Sequence, residues 1–427
     1  MSVRHLKSHA GETVTIRGWL ANKRRSGKIG FLQIRDGSGV VQVVISRAEV
    51  SEEAWEDVKQ VTQESTVRVT GIARADDRAP GGVEIQATDF AVRSLTDDFP
   101  ITNKEHGTAF LMEHRHLWLR SSKQRASLAI RSEVCQAIRD FFYEREFTLI
   151  DSPILTPTSC EGTSTLFETE YFGDKAYLSQ SGQLYLEPAC AAFGKVYCMG
   201  PTFRAEKSKT RRHLTEFWMV EPEVAFLHFE GLVQLAEEFI TTLVSRVLER
   251  ARPHLEVLER DITKLEKVTG SFPRVTYHEA IEILQKQGSE IVAGDDFGAE
   301  DETLLGNHFD QPVFVTHFPT DIKAFYMEPD PDNADTVLAM DLLAPEGYGE
   351  IIGGSQRIHD HDLLLERLQH HELPIGPFQW YLDVRKYGSF PHSGFGMGIE
   401  RFIAWMSGAS HLRETIPYPR MLYKIYP

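Results

Sequence analysis

Near the C-terminal end, the run Pro391-His392-Ser393-Gly394-Phe395-Gly396-Met397-Gly398-Ile399-Glu400-Arg401 alternates three glycines with larger residues and closes on an acid and an arginine. Glycine lets backbone approach a ligand closely, and arginine offers a planar, permanently charged fork suited to phosphate. The glycines recur at every second residue, as on a strand leading into a helix, and do not form the G-x-G-x-x-G of a Rossmann turn. A nucleotide site and simple close packing of a strand are both compatible with this run alone. Upstream, Phe203-Arg204-Ala205-Glu206, a polar loop through Arg211, Arg212 and His213, and then Glu216-Phe217 supply cations, acids and an aromatic platform. Those are the groups that would line a triphosphate and an adenine. Glu350, in Gly349-Glu350-Ile351-Ile352-Gly353-Gly354-Ser355-Gln356-Arg357, and Asp341 before it are candidate ligands for Mg²⁺, which takes a few carboxylates together with phosphate oxygens.

Such a site needs a scaffold, and 427 residues suffice for two or three domains. Hydrophobic and charged fractions of 41% and 25% are those of a soluble globular chain. Apolar runs are far shorter than a membrane span, and no apolar signal core follows Met1, so a cytoplasmic protein without membrane contact is expected. Cys135, Cys160, Cys190 and Cys198 form no C-x-x-C pair and read as reduced thiols. The net charge of −16 excludes blanket binding of nucleic acid. Residues 1–96 nevertheless hold 14 Lys/Arg against 12 Asp/Glu, so a near-neutral head precedes an acidic body.

The head alternates in strand fashion at Val14–Leu20, Phe31–Asp36, Val40–Ile45, Thr66–Gly71 and Gly82–Ala87, with Ser51 placed to cap a helix to about Gln63. Five strands with a helix after the third follow the order of an OB-fold barrel, a scaffold for single-stranded nucleic acid. Arg24, Arg25 and Lys28 beside Phe31 combine phosphate contact with base stacking. Residues 97–125 read as a hinge and 126–427 as an α+β domain, because strands recur without regular β-α-β alternation. Ser121–Glu144 and 229–251 read as long helices, Thr169–Leu186 as a hairpin, and Val196–Arg204 with Thr215–Phe226 as paired strands. Thr276-Tyr277-His278-Glu279 is a capping box. Gly288–Glu302 reads as an acidic surface insertion, and Pro312–Thr316, Val337–Leu343 and Phe378–Val384 as further strands.

The long helix ending before Asp151-Ser152-Pro153, the Arg204–Phe217 segment and the glycine run with Arg401 resemble, in this order, motifs 1, 2 and 3 of the class II aminoacyl-tRNA synthetases. The OB-like head resembles that of subclass IIb, the aspartyl, asparaginyl and lysyl enzymes. The resemblance spans nearly the whole chain and implies an antiparallel catalytic sheet flanked by helices, ATP and Mg²⁺ as requirements, and a homodimer. It implies that Arg204 holds the α-phosphate, Glu206 accepts from the adenine amino group, Arg212 or His213 reaches the β/γ end, Phe217 stacks on adenine and Arg401 clamps the γ-phosphate, with Gly398 admitting the nucleotide. Glu350 and Asp341 would carry the metal. The third residue after Glu350, often Ser in aspartyl enzymes, is Gly353 here. Motif 1 also departs from its pattern, with Glu146 at a turn usually occupied by Gly.

Within the subclass, aspartyl enzymes carry a lysine in Gln-Leu-Tyr-Lys, and this chain has Gln183-Leu184-Tyr185-Leu186. Their Asp at the end of motif 2 is replaced by Glu221. An amide needs a donor and an acceptor, whereas a carboxylate needs only donors, so Arg357 and Glu221 favour asparagine over aspartate. Other runs, Phe318–Tyr326 and Gln379–Arg385, are similar to the asparaginyl branch. By the same resemblance Glu161 binds the substrate α-amino group with help from Ser181 and Gln183, and tRNA(Asn) is the acceptor. Phe31 would stack on the central anticodon base with Gln42 as hydrogen-bonding partner, and Arg17, Arg24, Arg25 and Lys28 are candidate phosphate contacts. An aspartyl or relaxed Asp/Asn-charging enzyme is the nearest alternative. A synthetase-like enzyme making free asparagine and a non-catalytic RNA-binding OB protein are more distant ones.

Overall fold

The computed structural model describes residues 1–160 and 165–427, which divide into two compact units, Met1–Leu111 and Met112–Pro427. In the first unit, β1 (Thr13–Ser26), β2 (Ile29–Arg35), β3 (Val40–Ser46), β4 (Thr66–Ala75) and β5 (Val83–Ser94) close a barrel in the order β1-β2-β3-β5-β4. The period-two pattern explains it: Val14, Ile16, Leu20, Leu32, Ile34, Val41, Val43, Val67, Val69 and Ile85 all point into one core. The barrel shuts because β3 and β5 pair in parallel while β1 and β4 pair antiparallel. Helix α1 (Glu52–Gln60) starts where Ser51 accepts from the amide of Ala54. At its other end the Lys23 ammonium donates to the carbonyls of Val58, Lys59 and Val61, so this member of the basic loop serves as a helix C-cap. The expected five-stranded OB architecture is therefore present.

Helices α2 (Thr108–Glu113) and α3 (Arg115–Trp118) lie in the stretch read as a hinge, and α4 (Ser122–Glu144) follows, capped by Ser121. Strands β6 (Thr148–Leu149), β7 (Leu155–Thr156), β8 (Glu168–Tyr171) and β9 (Asp174–Leu178) come next, then α5 (Gln183–Phe193), β10 (Lys195–Phe203) and β11 (Glu216–Ala225). The hairpin expected over Thr169–Leu186 thus ends at Leu178. From Gln183 onward the chain is helical and buries Leu184, Leu186 and Cys190, a spacing that also fits a short apolar strand.

Helices α6 (Phe229–Arg250), α7 (Arg252–Val257) and α8 (Ile262–Leu265) precede β12 (Arg274–Thr276) and α9 (Tyr277–Lys286), whose capping box forms as read. After α10 (Ala299–His308) come β13 (Val313–Pro319), β14 (Pro329–Asp330), β15 (Asn333–Ala344) and β16 (Gly349–Arg357). Then α11 (His361–His370), α12 (Ile375–Lys386), β17 (His392–Gly398) and α13 (Ile399–Ser407) complete the unit. The strand expected at Phe378–Val384 is the middle of α12; Phe378, Tyr381, Leu382 and Arg385 are its buried positions, a helical spacing.

One large sheet runs β12-β13-β15-β16-β17-β11-β10-β6, antiparallel through its centre. Helices α4 and α6 cover it through Ile138, Phe141, Phe142, Phe239 and Val247. Glu146 adopts φ 62°. The turn keeps its left-handed geometry and the side chain bears the steric cost. Replacing Glu146 with Gly should raise stability by about 0.5–1 kcal/mol, the αL penalty less the extra freedom of glycine in the unfolded chain. A lower urea midpoint for that variant would show the turn to be unstrained.

Candidate active site

The central strands β11, β17, β16 and β15 floor two adjoining cavities. The smaller is lined by Arg204, Glu206, Arg212, His213, Phe217, Glu350, Gly398, Glu400 and Arg401, which includes every residue the sequence assigned to ATP. The larger, of about 670 Å³, is lined among others by Ser181, Gln183, Arg204, Glu221, Glu223, Asp341, Glu350 and Arg357. Arg204 and Glu350 border both.

Strand pairing explains the smaller cavity. Phe217 opposes Thr202 in the β10–β11 ladder, which brings the Arg204 guanidinium to 5.5 Å from the Phe217 ring. Glu206 lies 3.4 Å from His213, whose imidazole is pushed toward neutrality by burial against the pull of Glu206. Arg401 donates to the Glu350 carbonyl from the first turn of α13. Arg212 is differently placed from the free cation expected: it donates to the carbonyls of Ala299 and Gly347 and to Thr303, and lies 3.5 Å from Glu302.

The glycines of the opening run have separate roles. A Cβ on Gly394 would lie 2.0 Å from the Glu223 carboxylate, and one on Gly396 would lie 2.5 Å from the Met219 methyl. Both are packing glycines. A Cβ on Gly398 would meet no protein atom within 4 Å, so only there is the space left open to a ligand.

Around the larger cavity, Ser181 and the amide of Gly182 donate to Glu221, and the Cys198 thiol lies 3.3 Å from the same carboxylate. Burial keeps that thiol protonated and able to donate. Leu186, at the aspartyl lysine position, does not line the cavity; it is buried with Cys190, Val196, Cys198 and Phe390. Arg357 makes a two-point ion pair with Glu223, Nε to Oε1 and Nη2 to Oε2 both at 3.0 Å, and Nη1 donates to Ser355. Gln183 donates to Glu187, which also accepts from Tyr381 and Arg385 and meets the His392 ring at 3.0 Å. With its NH₂ held there, the Gln183 carbonyl oxygen is the end left to the cavity. Glu161 lies outside the described residues.

Asp341 Oδ2 accepts from Lys323 at 2.7 Å. Burial pushes the Asp341 carboxyl up to about 7, against the pull of Lys323 and with a further push from Glu350. A Cβ on Gly353 would lie 2.6 Å from Glu350 Oε1 and 3.5 Å from Asp341 Oδ1, so a serine at this position is incompatible with the Glu350 conformation seen here. Glu350 and the free edge of Asp341 fit a divalent cation. Glu187, Glu223 and His392 also lie within ligating range of one another, but Arg385 and Arg357 already neutralise that cluster.

Four acids went unassigned in the sequence. Glu302, placed in a surface insertion, is turned inward by α10 and accepts from the amide of Glu350 at 3.3 Å. Glu400 is 1% exposed, accepts from Arg131 of α4 at 2.7 Å and from the Trp218 amide of β11 at 3.0 Å, and so joins all three motifs. Glu187 and Glu223 are the others; the signal for each was an acid within an apolar helix or strand, which demands a buried partner.

On the barrel, Arg24 opposes Phe31 and its guanidinium lies 5.2 Å from the ring. Gln42 is on the adjoining strand and donates to Glu84 at 3.0 Å. Arg25 and Lys28 are exposed at the β1–β2 turn. Arg17 sits toward the opposite end of β1, opposite Arg68 of β4, and is not brought to this group.

Residues 107–422 match the model of the class II tRNA synthetases (D, K and N), and residues 14–93 that of the OB-fold nucleic acid binding domain. The asparagine–tRNA ligase of Desulforamulus reducens is 56% identical over 425 residues, covering 100% of this chain and 99% of that protein. The chain belongs to the asparagine–tRNA ligase family. Another member, from Chloroflexus aurantiacus, is 55% identical across 100% of this chain and 98% of its own length. The asparaginyl-tRNA synthetase of Pyrococcus horikoshii complexed with asparaginyl-adenylate superposes with a TM-score of 0.97 at 42% identity, covering 100% of this chain and 99% of that one. An aspartyl tRNA synthetase from Entamoeba histolytica, at TM-score 0.84 and 27% identity over 100% of this chain and 92% of its own, is less similar.

Within this family fold, the glycines give a paired test. Gly394→Ala should lower stability by about 1–3 kcal/mol through overpacking, read as a drop in the urea midpoint. Gly398→Ala should leave that midpoint unchanged and weaken nucleotide binding.

Proposed function

We propose that this chain activates asparagine with ATP and transfers it to tRNA(Asn). The observation that carries the proposal is the pocket lined by both Arg357 and Glu221, a donor and an acceptor. An amide satisfies both groups. A carboxylate would leave Glu221 facing a like charge, worth about a hundredfold or more in discrimination.

In the first step an oxygen of the asparagine carboxylate forms a bond to the α-phosphorus of ATP while the bond to the bridging oxygen breaks and pyrophosphate leaves. Arg204 stabilises charge on the α-phosphate, Arg401 and His213 hold the far end of the triphosphate, and Phe217 and Glu206 receive the adenine. The work is positioning and electrostatics, with no protein nucleophile. Glu350 and Asp341 would hold Mg²⁺, which when bound supplies charge neutralisation at the phosphates. Gln183 and Ser181 orient the α-amino end. In the second step a 3′-terminal ribose hydroxyl attacks the acyl carbon and AMP departs. Residues 1–96 act as the anticodon reader through Phe31, Gln42, Arg24, Arg25 and Lys28, residues 97–125 as the hinge and residues 126–427 as the catalytic domain. Arg212, held by α10 and the β15–β16 turn, must exchange partners to touch phosphate.

A homodimer is part of the same reading. The edge strand β6 and the segment after it leave Leu149, Ile154 and Leu155 exposed, and α4 leaves Tyr143 exposed, apolar surface that a second copy would cover.

Pyrophosphate exchange should proceed with ATP and asparagine in the absence of tRNA and stay near background with aspartate. Equal rates for the two amino acids would sink the proposal. Phe31→Ala should reduce tRNA charging and spare the exchange reaction; parallel loss of both would make the barrel a structural element only.

A further inference from the structure

The Arg357 guanidinium is the group expected to meet the substrate side chain, yet a bare arginine does not distinguish an amide from a carboxylate. Its charge would favour the carboxylate. The structure shows how that bias is removed. Glu223, 1% exposed, takes the Nε–Nη2 edge of Arg357 in two bonds of 3.0 Å. Arg385 is in turn bonded to Glu187, so each buried guanidinium behind the cavity has its own carboxylate. Lys323, the ammonium on the cavity wall, is held by Asp341 at 2.7 Å. What Arg357 still offers is geometry: Nη1 and Nη2 each keep one further N–H beyond the bonds to Ser355 and Glu223. A guanidinium so compensated remains a directional donor to a neutral carbonyl oxygen and loses much of its attraction for an anion.

We infer that Glu223 is a specificity-determining residue, acting through Arg357: it cancels the cation's charge while holding its remaining donors toward the cavity. Gly394 belongs to this device, because a Cβ there would lie 2.0 Å from Glu223 Oε2 and displace it. In this account Glu221 supplies the acceptor for the amide NH₂, and Glu223 removes the reward for a carboxylate. Rejection of aspartate needs both.

The inference rests on the asparagine-activating reading. Glu223→Gln keeps the shape and hydrogen-bonding reach and removes the charge. The ratio of kcat/KM for aspartate to that for asparagine, measured by pyrophosphate exchange, should rise at least about tenfold, as expected when a buried cation loses its counter-charge. The KM for ATP should stay unchanged. Glu223→Met, neutral and of similar length, should shift the ratio in the same direction and serves if the Gln variant is insoluble. The double variant Glu223→Gln/Arg357→Gln, neutral again, should not show the rise. An unchanged ratio in the soluble single variants, including proportional loss of both activities, overturns the role of Glu223. Absence of asparagine-dependent exchange in the unaltered protein overturns the reading beneath it instead.

Discussion

The catalytic unit depends on one buried carboxylate. Glu400 is almost fully excluded from water and would be costly there without partners. Its partners are an arginine on α4 and a backbone amide on β11. A side chain at the start of α13 therefore fixes the covering helix, the strand carrying Phe217 and Glu221, and, through its own helix, Arg401. Burial raises the carboxyl pKa while Arg131 and the Trp218 amide oppose it, the balance of a group whose ion is retained by its neighbours. The two cavities keep their relative positions because their walls converge on this acid.

The same design recurs around the amino-acid cavity. Polar groups on its wall are each held from behind by a second buried polar group: Gln183 by Glu187, Arg357 by Glu223, Glu221 by Ser181, Gly182 and Cys198. Low dielectric strengthens each of these bonds and makes each unmet donor or acceptor expensive. The result is a cavity whose polar lining has few alternative arrangements before a substrate arrives.

Much of this was legible in the chain, and the failures have identifiable causes. The barrel was readable because its strands alternate cleanly and one face of each is buried. The residues assigned to the nucleotide form a constellation in a fixed order, which tertiary structure brings together in a single cavity. The segment Gln183–Phe193 was misread because a short apolar stretch fits either periodicity, and Phe378–Val384 because aromatic residues favour strands until packing against α11 and α5 decides otherwise. Glu302 was misplaced because its neighbours are acidic and solvent-like, and only the fold of α10 turns it inward. Arg17 pairs with Arg68 toward the other end of β1 from Arg24, so proximity in sequence to the basic loop does not bring it there. Glu187 and Glu223 carried only the general signal of an acid in an apolar element, because the arginines that neutralise them lie more than a hundred residues away.

The Arg212 anchorage bears on how the site is filled. In the structure this arginine ties the loop between β10 and β11 to α10 and to the turn before Glu350. Arg212 and Glu350 both line the smaller cavity. Under the proposed function, an arginine already bound to protein carbonyls makes nucleotide entry an exchange of partners. The loop is then ordered in both states, so the entropy of fixing it falls on folding and not on each catalytic cycle.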